Sequence, residues 1–130
     1  MDEITELKFE LVHRWAEVHK KSMTTLLIMV CLSQRPMWSK EILEWLTTVT
    51  GWEVTQRGLH RSLQRMSELG LIEYEGVAAA RTGAERKSYM LTDLGRSVAR
   101  GIGNEALSYL TRSEFTEGLE ALSQPDARGQ

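Results

Sequence analysis

Three arginines, Arg57, Arg61 and Arg65, recur every four residues between Trp52 and Gly70. At 100° per residue they fall within an arc of about 80° on a helix. Gln56, His60 and Gln64 flank them on the adjoining arc. Guanidinium and amide groups gathered on one face suit guanine edges, adenine edges and phosphates. Leu59, Leu63 and Met66 lie nearly opposite and read as the stripe that packs inward. On its own such a pattern is ordinarily a solvated charged face. Further along, Arg81, Arg86 and Lys87 surround the small residues Thr82-Gly83, and cations on a hairpin of that kind track phosphates or a minor groove.

The whole-chain charge argues the other way at first sight. The 130 residues hold 16 Lys+Arg against 18 Asp+Glu, a formal charge of -2. That excludes a uniformly basic chain that coats nucleic acid through bulk charge. Divided along the sequence, however, residues 1–54 carry -2, residues 55–100 carry +3 and residues 101–130 carry -3. The positive charge is concentrated where the arginine face lies.

Enzymatic and metal-binding patterns are missing. No phosphate-cradling glycine loop, His-Glu-x-x-His or nucleophile–base arrangement is present, so the chain reads as a non-enzyme without cofactor. One cysteine and three histidines give no structural zinc site and no internal disulfide. Cys31, inside an apolar segment, reads as an inert core residue, and a cytoplasmic setting is expected. The longest apolar run, Leu26 to Leu32, is far short of the roughly 20 residues that span a bilayer, so no membrane association is expected.

These residues must be positioned by a scaffold. Ile4, Leu7, Leu11, Trp15 and Val18 predict a helix over residues 4–20, and an apolar run predicts a second over 22–33, ended by Pro36. Ser39 reads as the cap of a third helix that buries Ile42, Trp45 and Leu46. Thr55 caps the arginine-bearing helix over 56–69, and Gly70 closes it. Two strands follow, 71–75 and 86–91, around a loop at 76–85. Thr92 caps another helix, Gly101-Ile102-Gly103 reads as a hinge, and a last helical stretch runs from Asn104 to Leu122 with a restart at Ser113. The expected fold class is mainly α with a small β-hairpin: a winged helix-turn-helix core flanked by N- and C-terminal helices. In that order of elements the arginine-bearing helix is the one that enters the DNA major groove, which favours a DNA-reading face over a merely solvated one.

Two stretches resemble the PadR-like winged-helix transcriptional regulators. One runs from Trp52 through Met66 into Ser67-Glu68-Leu69-Gly70-Leu71-Ile72. The other is Arg86-Lys87-Ser88-Tyr89-Met90-Leu91-Thr92-Asp93-Leu94-Gly95-Arg96. The resemblance covers roughly residues 22–100 and implies a regulator of transcription bound to double-stranded DNA. Some relatives also bind flat hydrophobic compounds at a dimer interface, which would make a small aromatic effector a partner and Trp15 its best contact. Core packing is the ordinary role for Trp15, Trp38, Trp45 and Trp52 alike.

The chain accordingly divides into a dimerisation helix at 1–21, a DNA-binding domain at 22–100, a helical dimerisation segment at 101–123 and a flexible tail at 124–130. Ile4, Leu7, Leu11, Trp15, Leu107, Leu110 and Leu119 flank a core that is already nearly complete and need a second copy to cover them. The expected function is a homodimeric repressor on a palindromic operator, with Gln56, Arg57, His60, Arg61, Gln64, Arg65, Arg81, Arg86 and Lys87 on DNA. Two alternatives stay open: a protein-interaction module that reads no DNA, and a regulator switched by an aromatic ligand.

Overall fold

The first helix is a single rod. In a computed structural model, which describes residues 2–78 and 85–125, α1 runs without interruption over Glu3–Leu32. The two helices expected at 4–20 and 22–33 are therefore one. No glycine or proline separates them. The polar residues of the join are accommodated by back-bonding: Ser22 Oγ donates to His19 O at 2.9 Å and Thr24 Oγ1 to Lys20 O at 2.6 Å. Asp2 caps the start, its Oδ1 accepting from Thr5 N–H at 2.7 Å.

The following elements are β1 (Met37–Trp38), α2 (Ser39–Thr50), α3 (Gln56–Glu68), β2 (Ile72–Ala78), β3 (Glu85–Leu91), α4 (Asp93–Glu105), a 3-10 turn (Ser108–Thr111) and α5 (Ser113–Leu122). The three strands form an antiparallel sheet in the order β1-β3-β2. Met37 lies opposite Tyr89, and Trp38 opposite Ser88. Tyr74 faces Tyr89 across the hairpin. This is the winged-helix architecture that the order of elements predicts. The hairpin strands extend beyond the expected 71–75 and 86–91, to Ala78 and from Glu85. Arg81, Thr82 and Gly83 lie outside the described residues, as does the tail from 126 onward.

The core is drawn from the second half of α1 (Leu26, Ile28, Met29, Cys31, Leu32), α2 (Ile42, Leu46), α3 (Leu59, Leu63, Met66), the sheet (Met37, Ile72, Tyr89) and Leu71 just before β2. Trp45 packs partly against it, together with Val98, Ile102 and Leu107.

Two further expectations are corrected. The cap of α2 is Trp38 rather than Ser39, because strand pairing holds Trp38 extended up to the first helical residue. Its N–H donates to Glu41 Oε1 at 3.2 Å. Gly101-Ile102-Gly103 is not a hinge. Neither glycine has positive φ, and α4 continues through them to Glu105, carried by Ile102 against the core. The break comes at Ala106, so Asn104 lies in the last turn of α4 and does not cap a following helix. The restart at Ser113 is where α5 begins.

Candidate nucleic-acid interface

Both ends of α3 are fixed by local chemistry. Thr55 Oγ1 accepts from Gly58 N–H at 3.0 Å, satisfying one of the orphan donors at the start. At the other end Leu71 N–H donates to Met66 O at 3.0 Å and Gly70 N–H to Ser67 O at 3.1 Å. This crossed pair is the Schellman arrangement, and it needs the left-handed φ of +77° that Gly70 adopts. Met66 and Leu71 both enter the core beside it.

Between these caps the helix has two unlike faces. Leu59, Leu63 and Met66 are essentially inaccessible, whereas Gln56, Arg57, His60, Arg61, Gln64 and Arg65 are all exposed. Among the described residues no carboxylate lies within ion-pairing distance of Arg57, Arg61 or Arg65. Gln64 Nε2 donates to Glu68 Oε1 at 3.3 Å. The face therefore presents three guanidinium groups and an imidazole with donors directed outward, an arrangement that can engage phosphates and base edges.

The hairpin is locked to the rest of the domain by Thr92 and Gly95. Thr92 N–H donates to Leu71 O at 3.2 Å, and Thr92 Oγ1 donates to Gly70 O at 2.6 Å. The same oxygen accepts from Gly95 N–H at 3.0 Å, capping α4. A Cβ at Gly95 would stand 2.0 Å from Leu71 O, so the close approach of α4 to the start of β2 admits only glycine. The Leu91-Thr92-Asp93-Leu94-Gly95 motif is thus a seam. It joins the end of α3, the base of the wing and α4.

Arg86 and Lys87 lie on β3, in the stalk of the hairpin. The Arg86 guanidinium sits over the Trp38 ring, 3.8 Å from its centre, and Lys87 Nζ lies 4.3 Å from the centre of the Tyr74 ring. Two concavities separate the hairpin from α3. One, of about 440 Å³, is lined by His60, Gln64, Glu68, Tyr74, Lys87 and Tyr89 among others. The second, of about 280 Å³, is lined by Trp38, Ser39, His60, Arg86, Lys87 and Tyr89. Nearby, Arg35 Nη2 donates to Glu41 Oε2 at 2.8 Å, and this bond holds the Glu41 carboxyl below its usual range.

Sequence reasoning missed Trp38 and Tyr74 at this site. Trp38 has its ring under Arg86 rather than in the core. The signal that would have found both residues is strand register: Trp38 opposes Ser88, two residues from Arg86, and Tyr74 opposes Tyr89, two residues from Lys87.

The residues expected to dimerise fall into two groups. Ile4, Leu7, Leu11 and Trp15 are exposed along the first half of α1, Trp15 to the extent of 72%. Leu110 and Leu119 are exposed on the C-terminal segment, whereas Leu107 packs partly against the core. A concavity of about 420 Å³ lies between the groups, lined by Trp15, His19, Met23, Tyr109, Phe115 and Leu119 among others. Trp15 stacks on His19 at 5.5 Å, and His19 meets Trp52 edge-on at 5.8 Å. Trp15 therefore does not pack in the core. Cys31 does, with Sγ 3.5 Å from Met37 Sδ, and burial pushes its thiol up to about 11. Among the described residues no group of three His, Cys, Asp or Glu could hold a metal ion, and no helix is long and apolar enough to cross a membrane.

Comparison with known proteins agrees with this architecture. Residues 28–100 match the model of the transcriptional regulator PadR-like family. A transcriptional regulator from Thermoplasma acidophilum is similar in structure, with a TM-score of 0.66 and 25% identity over 81% of this chain and 95% of that one. A PadR family transcriptional regulator from Eggerthella lenta superposes with a TM-score of 0.63 at 20% identity, covering 93% of this chain and 99% of its own. A PadR-like transcriptional regulator from Bacillus cereus gives 0.61 at 22%, covering 82% and 97%. No curated protein matches the sequence.

Proposed function

This chain belongs to the PadR-like family of transcriptional regulators, and from that membership we propose that it is a homodimeric, cytoplasmic repressor reading a palindromic operator through α3. The observation that carries the reading is the division of α3: a fully buried apolar stripe on one side, and on the other an exposed face whose arginines have no described carboxylate partner. Arg57, Arg61, Gln64 and Arg65 contact the major groove, Gln56 and His60 support them, and Arg81, Arg86 and Lys87 meet the backbone from the wing.

Dimerisation is supported by the apolar face of α1. Ile4, Leu7, Leu11 and Trp15 are all exposed on it, and Leu110 and Leu119 add to the same kind of surface. A two-fold dimer places two α3 helices on half-sites about one helical turn apart.

The test is operator binding by Arg61→Ala. This variant loses specific binding to the protein's own promoter while keeping the wild-type melting temperature, because Arg61 is exposed and caps nothing. If binding survives both Arg61→Ala and Arg57→Ala, α3 is not the reading helix. A gel shift on random duplexes at low salt separates this reading from a protein-interaction module, which shows no binding even where phosphate contacts are strongest.

A second reading is favoured by the apolar concavity beside Trp15. It fits a flat aromatic effector that releases the operator. Quenching of tryptophan fluorescence by such a compound, without release of bound DNA, removes that reading.

A further inference from the structure

Two hairpin cations, Arg86 and Lys87, are braced by aromatic rings from different neighbours. Trp38 belongs to β1 and Tyr74 to β2, so β3 carries Arg86 and Lys87 between them. Side chains alternate between the two faces of a sheet, so Arg86 shares one face with Trp38 and Lys87 shares the other with Tyr74. The two concavities that separate this strand from α3 share His60, Lys87 and Tyr89.

We propose that these pairs form a braced seat for the DNA sugar–phosphate backbone. Arg86 and Lys87 neutralise phosphates along the strand bordering the groove that α3 enters, and Trp38 and Tyr74 are positioning residues that hold the two cations in place. The proposal rests on the DNA reading above and adds two residues to it.

The physical argument is preorganisation. A free arginine or lysine samples many rotamers, and fixing one on binding costs entropy. A ring face beneath the cation removes part of that cost beforehand and leaves N–H groups free to donate outward. The charges also remain available. Among the residues whose side chains are described, which exclude Glu85, no carboxylate lies within ion-pairing distance of Arg86 or Lys87. Glu41 is occupied by Arg35 at 2.8 Å and by Trp38 N–H at 3.2 Å. Glu68, the acidic residue lining the larger concavity, accepts from Gln64. Glu73 and Glu75 lie on β2 opposite Met90 and Ser88 and make no described ion pair.

The experiment is fluorescence anisotropy of the full chain with a labelled random-sequence duplex, repeated across a salt series. Arg86→Ala and Lys87→Ala each flatten the slope of log affinity against log salt by up to about 0.9, one lost phosphate contact. Trp38→Ala weakens binding about two- to five-fold, Trp38→Phe restores most of it, and Trp38→Ala does nothing further in the Arg86→Ala background. Tyr74→Ala and Tyr74→Phe behave likewise against Lys87→Ala. Tyr74 is half exposed, so this second pair carries the test if Trp38→Ala does not fold.

Wild-type affinity and slope in Arg86→Ala and Lys87→Ala overturn the seat. If Arg57→Ala and Arg61→Ala still weaken binding, the α3 reading stands without it. Undiminished effects of the ring variants in the cation-less backgrounds overturn the positioning role. A wild-type chain that binds no duplex even at low salt overturns the DNA reading and the seat together.

Discussion

Replacing Gly95 by alanine tests how the wing is held to the helical core. The new methyl would stand 2.0 Å from Leu71 O and 2.7 Å from Leu91 Cδ1, where ordinary contact begins near 3.4 Å. The leucine side chain can turn aside. The carbonyl cannot move freely, because Thr92 N–H bonds to it and Thr92 Oγ1 lies 3.0 Å away. Relief therefore requires α4 to retreat by more than about 1 Å from the start of β2. Overpacking of this kind costs about 1–3 kcal/mol, and loosening the Thr92 hydrogen bonds adds about 1 kcal/mol. Alanine regains at most about 1 kcal/mol of helix propensity, less in a first turn. The net loss is about 2–3 kcal/mol, a fall in melting temperature on the order of 10 °C for a domain of this size. Thermal melts followed by circular dichroism measure it, with Gly101→Ala and Gly103→Ala as controls. Those two glycines lie in the same helix with nothing within 4 Å of an added Cβ, so both variants melt at or above the wild-type temperature. A Gly95→Ala protein melting within a degree or two of wild type refutes the seam.

Other consequences can be checked directly. Cys31 is buried with its thiol raised to about 11, so a thiol reagent at neutral pH leaves the native protein unmodified and reacts after denaturation; rapid native labelling refutes this. Glu41→Gln removes the Arg35 ion pair, whose contribution is small because solvent screens it. Because the folded carboxyl is held below its usual value of 4.5, wild type exceeds the variant above that pH and loses the advantage as pH falls through the depressed value; urea titrations across pH read the convergence. Leu7→Glu with Leu11→Glu places charge on the exposed face of α1, and light scattering then reports a monomer that keeps the helical circular dichroism of the wild type and whose melting temperature no longer depends on protein concentration.

Sequence legibility followed the range of the interactions. Thr55, Gly70 and Thr92 were readable because a cap depends on residues three or four positions away, and each forms the bond its type implies. The buried stripe of α3 was equally plain, since a strong amphipathic period leaves one choice of face. The polar residues at 20–22 looked like a break because the apolar period falters there, yet nothing in Lys20-Lys21-Ser22 forbids a helix. Gly101 and Gly103 looked like a hinge on propensity alone, which the packing of Ile102 overrides. The place of Trp38 under Arg86 was beyond local reasoning, because it depends on a strand pairing that spans the length of the domain. The seam at Gly95 belongs to the same class: the motif was visible, but its reason is a carbonyl contributed by Leu71.

The unbroken α1 has a geometric consequence for any assembly built on its first half. At 1.5 Å per residue its 30 residues make a rod about 45 Å long, with one end embedded beneath α2 and α3. Such a rod acts as a gauge. Adding one residue near Lys21 turns the apolar face by about 100° and lengthens the arm by about 1.5 Å, so two coupled heads would be thrown out of phase with one another. Adding seven residues nearly restores the angle and lengthens each arm by about 10 Å. The half-site spacing tolerated by the dimer would then be written in the length of one helix, and its phase in the count of residues between Trp15 and Leu26.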